Sequence, residues 1–350
     1  MTNANQFPGA NYRGQMDSIA EVIMWGPKIV QCIQAFNEED LILPVLRSIY
    51  NSVDHIRVIE GAVENQVDAT EDGHSTDKTV EIIKQFIAEE DKDKKVNFVQ
   101  RDKPFKNLEE MKQTFLDYAV RGEWLLINDC DEFYKPEDID RLRIAIDRNP
   151  TASEFVPLFL HFYRDFQHIA KPAAEWQPQH QRFFRFVPGM RYNSHPVVTD
   201  VDGQCTYFSP NYQQRRIVVK DWYVWHYGYA RKDMNSVMEK KKKYYEKELS
   251  KHGGANKPFD EKADIFLYRK ERSQDFCMYP LGLHPEVIKT HPMYEHKDLP
   301  WARVGKFDCV AWDSVEPYCL DEVPNIFLWM TGLNPKMGLF SNQITLADLK

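Results

Sequence analysis

The chain has 350 residues, 43% hydrophobic and 28% charged, an ordinary globular composition that excludes a wholly disordered protein. Its formal net charge of −8 lacks the basic footprint of a general nucleic-acid binder. Six cysteines, Cys32, Cys130, Cys205, Cys277, Cys309 and Cys319, form no CxxC pair, which excludes a zinc ribbon or a redox dithiol and suits reduced thiols in the cytoplasm.

The polar opening, residues 1–27, has neither the basic start nor the apolar h-region of a signal peptide and is expected to be a lead-in. No stretch approaches the roughly 18 consecutive apolar residues of a membrane span. "KIVQCIQAF" is β-rich and ends at Asn37. In "NEEDLILPVLRSIY", Ile42, Val45, Leu46 and Ile49 fall on one helical stripe, with Asn37 as the expected cap. "HIRVIEG" is a second strand, and "DGHSTDKTVEIIKQFIAEE" is a capped turn followed by a helix presenting Val80, Ile83 and Ile87. "VNFVQR" is a third strand. "NLEEMKQTFLDYAVRG" is a helix with Leu108, Met111, Phe115 and Ala119 inward, and "EWLLIN" is a fourth strand.

This alternation predicts an α/β fold, a mostly parallel central sheet flanked by helices, with ligands bound beyond the carboxyl ends of the strands. Three of those ends, "FNEE", "EGAVENQVDATEDGHSTD" and "NDCDEF", carry acids or turn residues. After about residue 150 the pattern changes. "SEFVPLFLHFYRDF" and "DWYVWHYGYAR" are aromatic strands, "QRFFRFVPGMRYNSHPVV" is expected to be a hairpin turning at Pro188 and Gly189, and "MNSVMEKKKKYYEKELSKHGG" is helical. The expected division is a lead-in (1–27), a main domain (28–235, with one half to 135 and a second from 136) and a C-terminal aromatic and helical extension (236–350).

Four apolar residues precede Asp129, Asp131 and Glu132. Carboxylates at i and i+2 after a strand can converge on one hard cation, which in turn can neutralise a diphosphate. A capped turn suffices to explain "DGHSTDKT" locally, although N–H groups at the following helix start suit phosphate. The run Lys240–Lys243 suits a solvated helical face, or attraction of an anionic acceptor.

The order of these pieces resembles the family 2 glycosyltransferases, which adopt the glycosyltransferase A fold. "IQAFNEED", "DGHSTDKT", "KQTFLDYAVRGEWLLINDCDEFY", and "RFFRFVPGMRYNSH" followed by "VWHYGYAR" carry the likeness over roughly residues 28–235. Departures are Gln34 where a proline is usual, Glu60 where Asp is usual, and Lys112 where Arg is frequent. The resemblance implies a metal-dependent inverting transferase that uses Mn²⁺ or Mg²⁺ and a nucleotide-sugar donor, a UDP-sugar first. It places Ala35, Phe36, Asn37 and Glu38 at the nucleotide, with Glu60 or Asp72 accepting from the base and Lys112 nearby. Asp129 approaches the ribose or the metal, Asp131 binds the metal, and His226 reaches the metal or the diphosphate.

Trp176, Arg182, Arg185 and His195 are expected in the donor and acceptor cleft, and Asp165 or Glu175 as the catalytic base. The acceptor class stays open among a saccharide, a lipid-linked glycan, a protein and a modified DNA base. Two alternatives are a nucleotidyltransferase of similar fold and a non-catalytic nucleotide- or sugar-binding module. A phosphatase of the haloacid-dehalogenase type is disfavoured, because Glu132-Phe133 stands where it needs Thr or Val.

Overall fold

The computed structural model describes residues 27–64, 66, 68–163, 165–170, 181–194, 197–199, 216–231, 276–279, 281–295, 343–344 and 346. The first half runs β1 (Ile29–Ala35), α1 (Ile42–Ser48), β2 (His55–Glu60), α2 (Thr79–Glu89), β3 (Val96–Gln100), α3 (Leu108–Asp117), β4 (Trp124–Asp129), β5 (Glu132–Phe133) and α4 (Pro136–Arg148). β6 (Glu154–Tyr163), β7 (His168–Ala170), β8 (Phe183–Arg185), β9 (Arg191–Ser194), β10 (Val197–Thr199), β11 (Arg216–Tyr229), β12 (Phe276–Met278) and β13 (Gln343–Ile344) follow.

The strands β3-β2-β1-β4 lie side by side, all parallel, as the alternating pattern predicts. Side chains alternate across β1. Ile29 and Ile33 join the core under α1 and α2, while Val30 and Cys32 join a second core with Met111 and Phe115 of α3. Chain direction out of β1 leads first to β2 on one side and later to β4 on the other. A crevice therefore opens between the ends of β1 and β4, where open α/β sheets hold ligands.

Beyond β4 the sheet continues through β8 and β6, both joined antiparallel. The long β11 lies parallel to β6 and pairs antiparallel with β5. Its register on β6 shifts between Val218 and Tyr223, opposite Pro157, which has no N–H to give the ladder. That irregularity realigns the rest of β11, so that His226 lies beside Glu132 on β5 and His161 on β6.

Several sequence expectations are corrected. Asn37 does not cap α1: the helix starts at Ile42, and Asn37 adopts φ 53°, a left-handed conformation that asparagine tolerates. The buried face of α2 centres on Ile83 and Phe86, with Val80 and Ile87 at its flanks. Pro188 and Gly189 do form a turn, but β8 pairs with β4 and β6 while β9 pairs with β10, so the flanking strands make no hairpin together. The predicted helix at 234–254 lies outside the described residues. No described helix is long and apolar enough to cross a membrane.

Candidate active site

The acidic cluster lies where β4 ends and β5 begins. Asn128 is buried, and its side chain donates to the carbonyls of Asp129 and Glu132, which forces the 129–132 turn into a compact loop. Gln31 of β1 fixes the Asn128 amide from behind.

The three acids have different company. Asp129 is held by Gln34 at 2.5 Å, by Arg182 at 3.0 Å and by the Lys112 ammonium at 3.6 Å. Glu132 is buried and accepts from Arg182 at 2.6 Å. Burial pushes the Glu132 carboxyl up against the pull of that guanidinium, and burial pushes the Lys112 ammonium down to about 8. Arg182 is itself buried between the two carboxylates, which together hold its proton more firmly than usual.

Asp131 is different. Its Oδ1 is buried and accepts no hydrogen bond from the described residues, with His226 Nε2 3.8 Å away. Oδ2 faces Arg231 at 3.7 Å. The His226 Nδ1 is 3.1 Å from His161 Nδ1, so one ring donates to the other and His226 turns its Nε2 edge towards Asp131. One ligand atom each from Asp131, Glu132 and His226 lie within 4.8 Å of one another. Two carboxylates and an imidazole form a donor set that fits Mn²⁺ or Mg²⁺. Since Glu132 is committed to Arg182, Asp131 and His226 are the residues best placed to hold such an ion.

Residues that the sequence did not single out complete this corner. Arg231 donates to Glu38 at 2.7 Å and so ties the end of β1 to the end of β11. A Cβ on Gly228 would collide with the Asp131 carboxylate and come within 2.9 Å of the His226 ring, so a side chain there would displace one or both of them. The one signal available in advance was a glycine two positions from the candidate histidine.

At the other side of the crevice, Ala35 is buried, Phe36 and Asn37 are partly exposed, and Asn37 reaches across to Thr76 and Asp68. Glu60 is fully buried and accepts from Ser75 N, Ser75 Oγ, His74 Nδ1 and Gln100 Nε2. Asp72 is exposed on the loop that follows. Gly73 has φ 83°, and a Cβ there would meet Pro104 at 2.8 Å, so this turn is specific for glycine.

An expected cleft residue, Arg185, and an expected base, Asp165, are placed as follows. Arg185 pairs with Trp124 at the start of β4 and donates to the Pro150 carbonyl. Because β8 runs antiparallel to β4, moving from Arg182 to Arg185 leads away from the acids, so Arg185 is not in the cleft. Asp165 is buried and accepts from Gln167 N, His168 N and the His168 ring, so its carboxylate is engaged by its own turn. Glu175, Trp176 and His195 lie outside the described residues. Cys32 and Cys130 are buried free thiols.

The sequence model of glycosyl transferase family 2 matches residues 32–208, just over half of the chain. The chain belongs to that family. It is therefore a glycosyltransferase; the matched segment includes the acidic turn at 129–132 and ends before His226. No curated protein sequence matches it. Among solved structures, TarS from S. aureus (residues 1–349) shares 12% identity over 76% of this chain and 81% of its own, with a TM-score of 0.35. The same protein with UDP-GlcNAc shares 14% identity over 76% and 82%, with a TM-score of 0.38. Glucosyl-3-phosphoglycerate synthase from Mycobacterium tuberculosis, with Mn²⁺ and UDP-Glc, shares 22% over 40% and 44%, at 0.27.

Proposed function

We propose that the chain is a divalent-cation-dependent, inverting glycosyltransferase that takes a sugar from a UDP-sugar and passes it to an acceptor hydroxyl. One observation carries the metal-dependent part of this reading. Among the described residues, Asp131 Oδ1 is buried without a hydrogen-bond partner, and it faces a histidine from a strand nearly a hundred residues later. Leaving a carboxylate oxygen in that condition is costly unless a ligand satisfies it.

Asp131 and His226 would hold Mn²⁺ or Mg²⁺, which supplies neutralisation of the charge that develops on the departing diphosphate. Arg182 and Lys112 keep Asp129 and Glu132 charge-balanced, so the site does not repel a diphosphate with three uncompensated carboxylates. Phe36 offers a face for the base, and Asn37 holds the 68–76 loop beside it. Inversion needs a carboxylate to take the acceptor's proton. Asp165 is occupied within its turn, which leaves Glu175 as the carboxylate to test first.

Donor hydrolysis by the full chain, followed over a panel of nucleotide sugars with Mn²⁺, Mg²⁺ or EDTA, tests this function. Release of UDP that stops on chelation is expected. Turnover undiminished in EDTA would contradict metal dependence, and no turnover or binding of any nucleotide sugar would contradict the transferase reading.

A further inference from the structure

At the second strand end Glu60, one of the two acids expected to read the base, points into the protein. Its side chain is fully buried and four donors converge on it: Ser75 N at 2.7 Å, Ser75 Oγ at 2.8 Å, His74 Nδ1 at 2.9 Å and Gln100 Nε2 at 2.9 Å. With both oxygens engaged, little of its accepting capacity is left for a ligand. The group in front of it is His74. Its side chain is 26% exposed, and apart from Glu60 and the nearby Gln100 amide its ring has no hydrogen-bond partner among the described residues.

We infer that His74, oriented by Glu60, is the residue that reads the nucleobase, its Nε2 accepting the imide N–H of uracil or thymine. This rests on the nucleotide-sugar reading above.

The chemistry follows from the hydrogen bonds. A carboxylate oxygen only accepts, so the His74 nitrogen facing Glu60 carries the proton. The opposite nitrogen of the neutral ring is then an acceptor with a fixed direction. Uracil and thymine present an N–H donor between two carbonyls. Cytosine presents an acceptor at the same place, which would oppose the Nε2 lone pair.

Placement agrees. Ser75 Oγ accepts from the Asn37 N–H, which locks the turn carrying His74 beside Phe36 at the end of β1. From the acidic turn at the end of β4, across β1 to β2, is two strand spacings, about 10 Å. That is the scale separating a diphosphate from its base. Glu60 acts through His74 and is a positioning residue.

The test is calorimetric titration of the full chain with UDP, dTDP, CDP and 3-methyl-UDP in Mn²⁺. Methylation at N3 replaces the donor with a methyl group and leaves both carbonyls, while CDP tests the same position without the added bulk. The wild type is expected to prefer UDP and dTDP to CDP and 3-methyl-UDP by about tenfold or more. His74→Ala should reduce that preference to within about twofold, and His74→Gln, whose amide oxygen still accepts, should restore part of it. A preference for dTDP over UDP, or the reverse, identifies which imide base is the ligand. UDP binding with discrimination undiminished in His74→Ala would overturn the inference while leaving the functional reading intact. Failure of the wild type to bind any of the four would overturn the reading itself.

Discussion

Gly228 sits under the pair on which the metal proposal depends, since a side chain there would strike Asp131 and His226. Gly228→Ala is therefore expected to displace one of them and weaken Mn²⁺-dependent UDP binding about tenfold or more, on the scale at which supporting groups tune metal affinity. Nucleotide binding in EDTA should change little. Calorimetry in both conditions checks this, and an equal loss with and without metal would show that the glycine serves folding rather than the ion.

His226 was singled out by the family resemblance alone, but the acids at 129–132 were legible in the sequence, because an apolar strand running into closely spaced carboxylates is a local pattern. Their different company was not. Arg182, Lys112 and Gln34 reach Asp129 from three elements. No spacing in one sequence encodes which carboxylate is neutralised and which is left for a ligand. For the same reason Glu60 reads from sequence as a ligand acceptor, although tertiary packing spends it on His74, Ser75 and Gln100.

Among elements, the helices and parallel strands were readable because their periods are local. Met111 and Phe115 of α3 point inward as their spacing predicts, and Leu116 joins them. The antiparallel strands were harder. Which strand β8 joins decides where its Arg185 and the preceding Arg182 fall, and that partner, β4, lies more than fifty residues earlier. The final ninety residues had no period to read, yet the segment 281–295 docks by specific contacts. His284 is buried between Tyr227, whose hydroxyl is 2.5 Å from its Nδ1, and the Phe166 carbonyl, 2.8 Å from its Nε2. The carbonyl must accept, so Nε2 donates and Nδ1 accepts from tyrosine, which describes a neutral ring.

Burial pushes the His284 pKa down to about 4. In the unfolded chain a histidine titrates near 6.5. As pH falls from about 6.5 towards about 4, the unfolded chain takes up a proton that the folded ring refuses, so stability is lost on acidification. The loss reaches about 3 kcal/mol for this group. Urea unfolding at pH 7.5 and pH 5 should show it, and His284→Gln, which can still donate to Phe166, should flatten that part of the slope. An unchanged slope in the variant would mean that His284 does not control the acid sensitivity.

Among the described residues, one sheet places three strand ends carrying acids or turn residues along one edge, and the β11 strand returns from the second half to join it. Arg231 joins Glu38, and His226 meets Asp131, so the two halves share a single site. The parallel direction of the first four strands followed from the βαβ pattern, because such units join parallel strands through a helix. The return of β11 depends on pairing with β5 and β6, a long-range choice that only packing decides. The central claim is that this junction binds a metal ion together with a nucleotide diphosphate. Titration of UDP into the full chain with and without Mn²⁺, for wild type and Asp131→Asn, tests it most directly. The account predicts strong metal dependence in the wild type and its loss in Asp131→Asn, with the melting temperature unchanged or raised because a charge leaves an acidic turn. UDP binding in Asp131→Asn with wild-type metal dependence would contradict it.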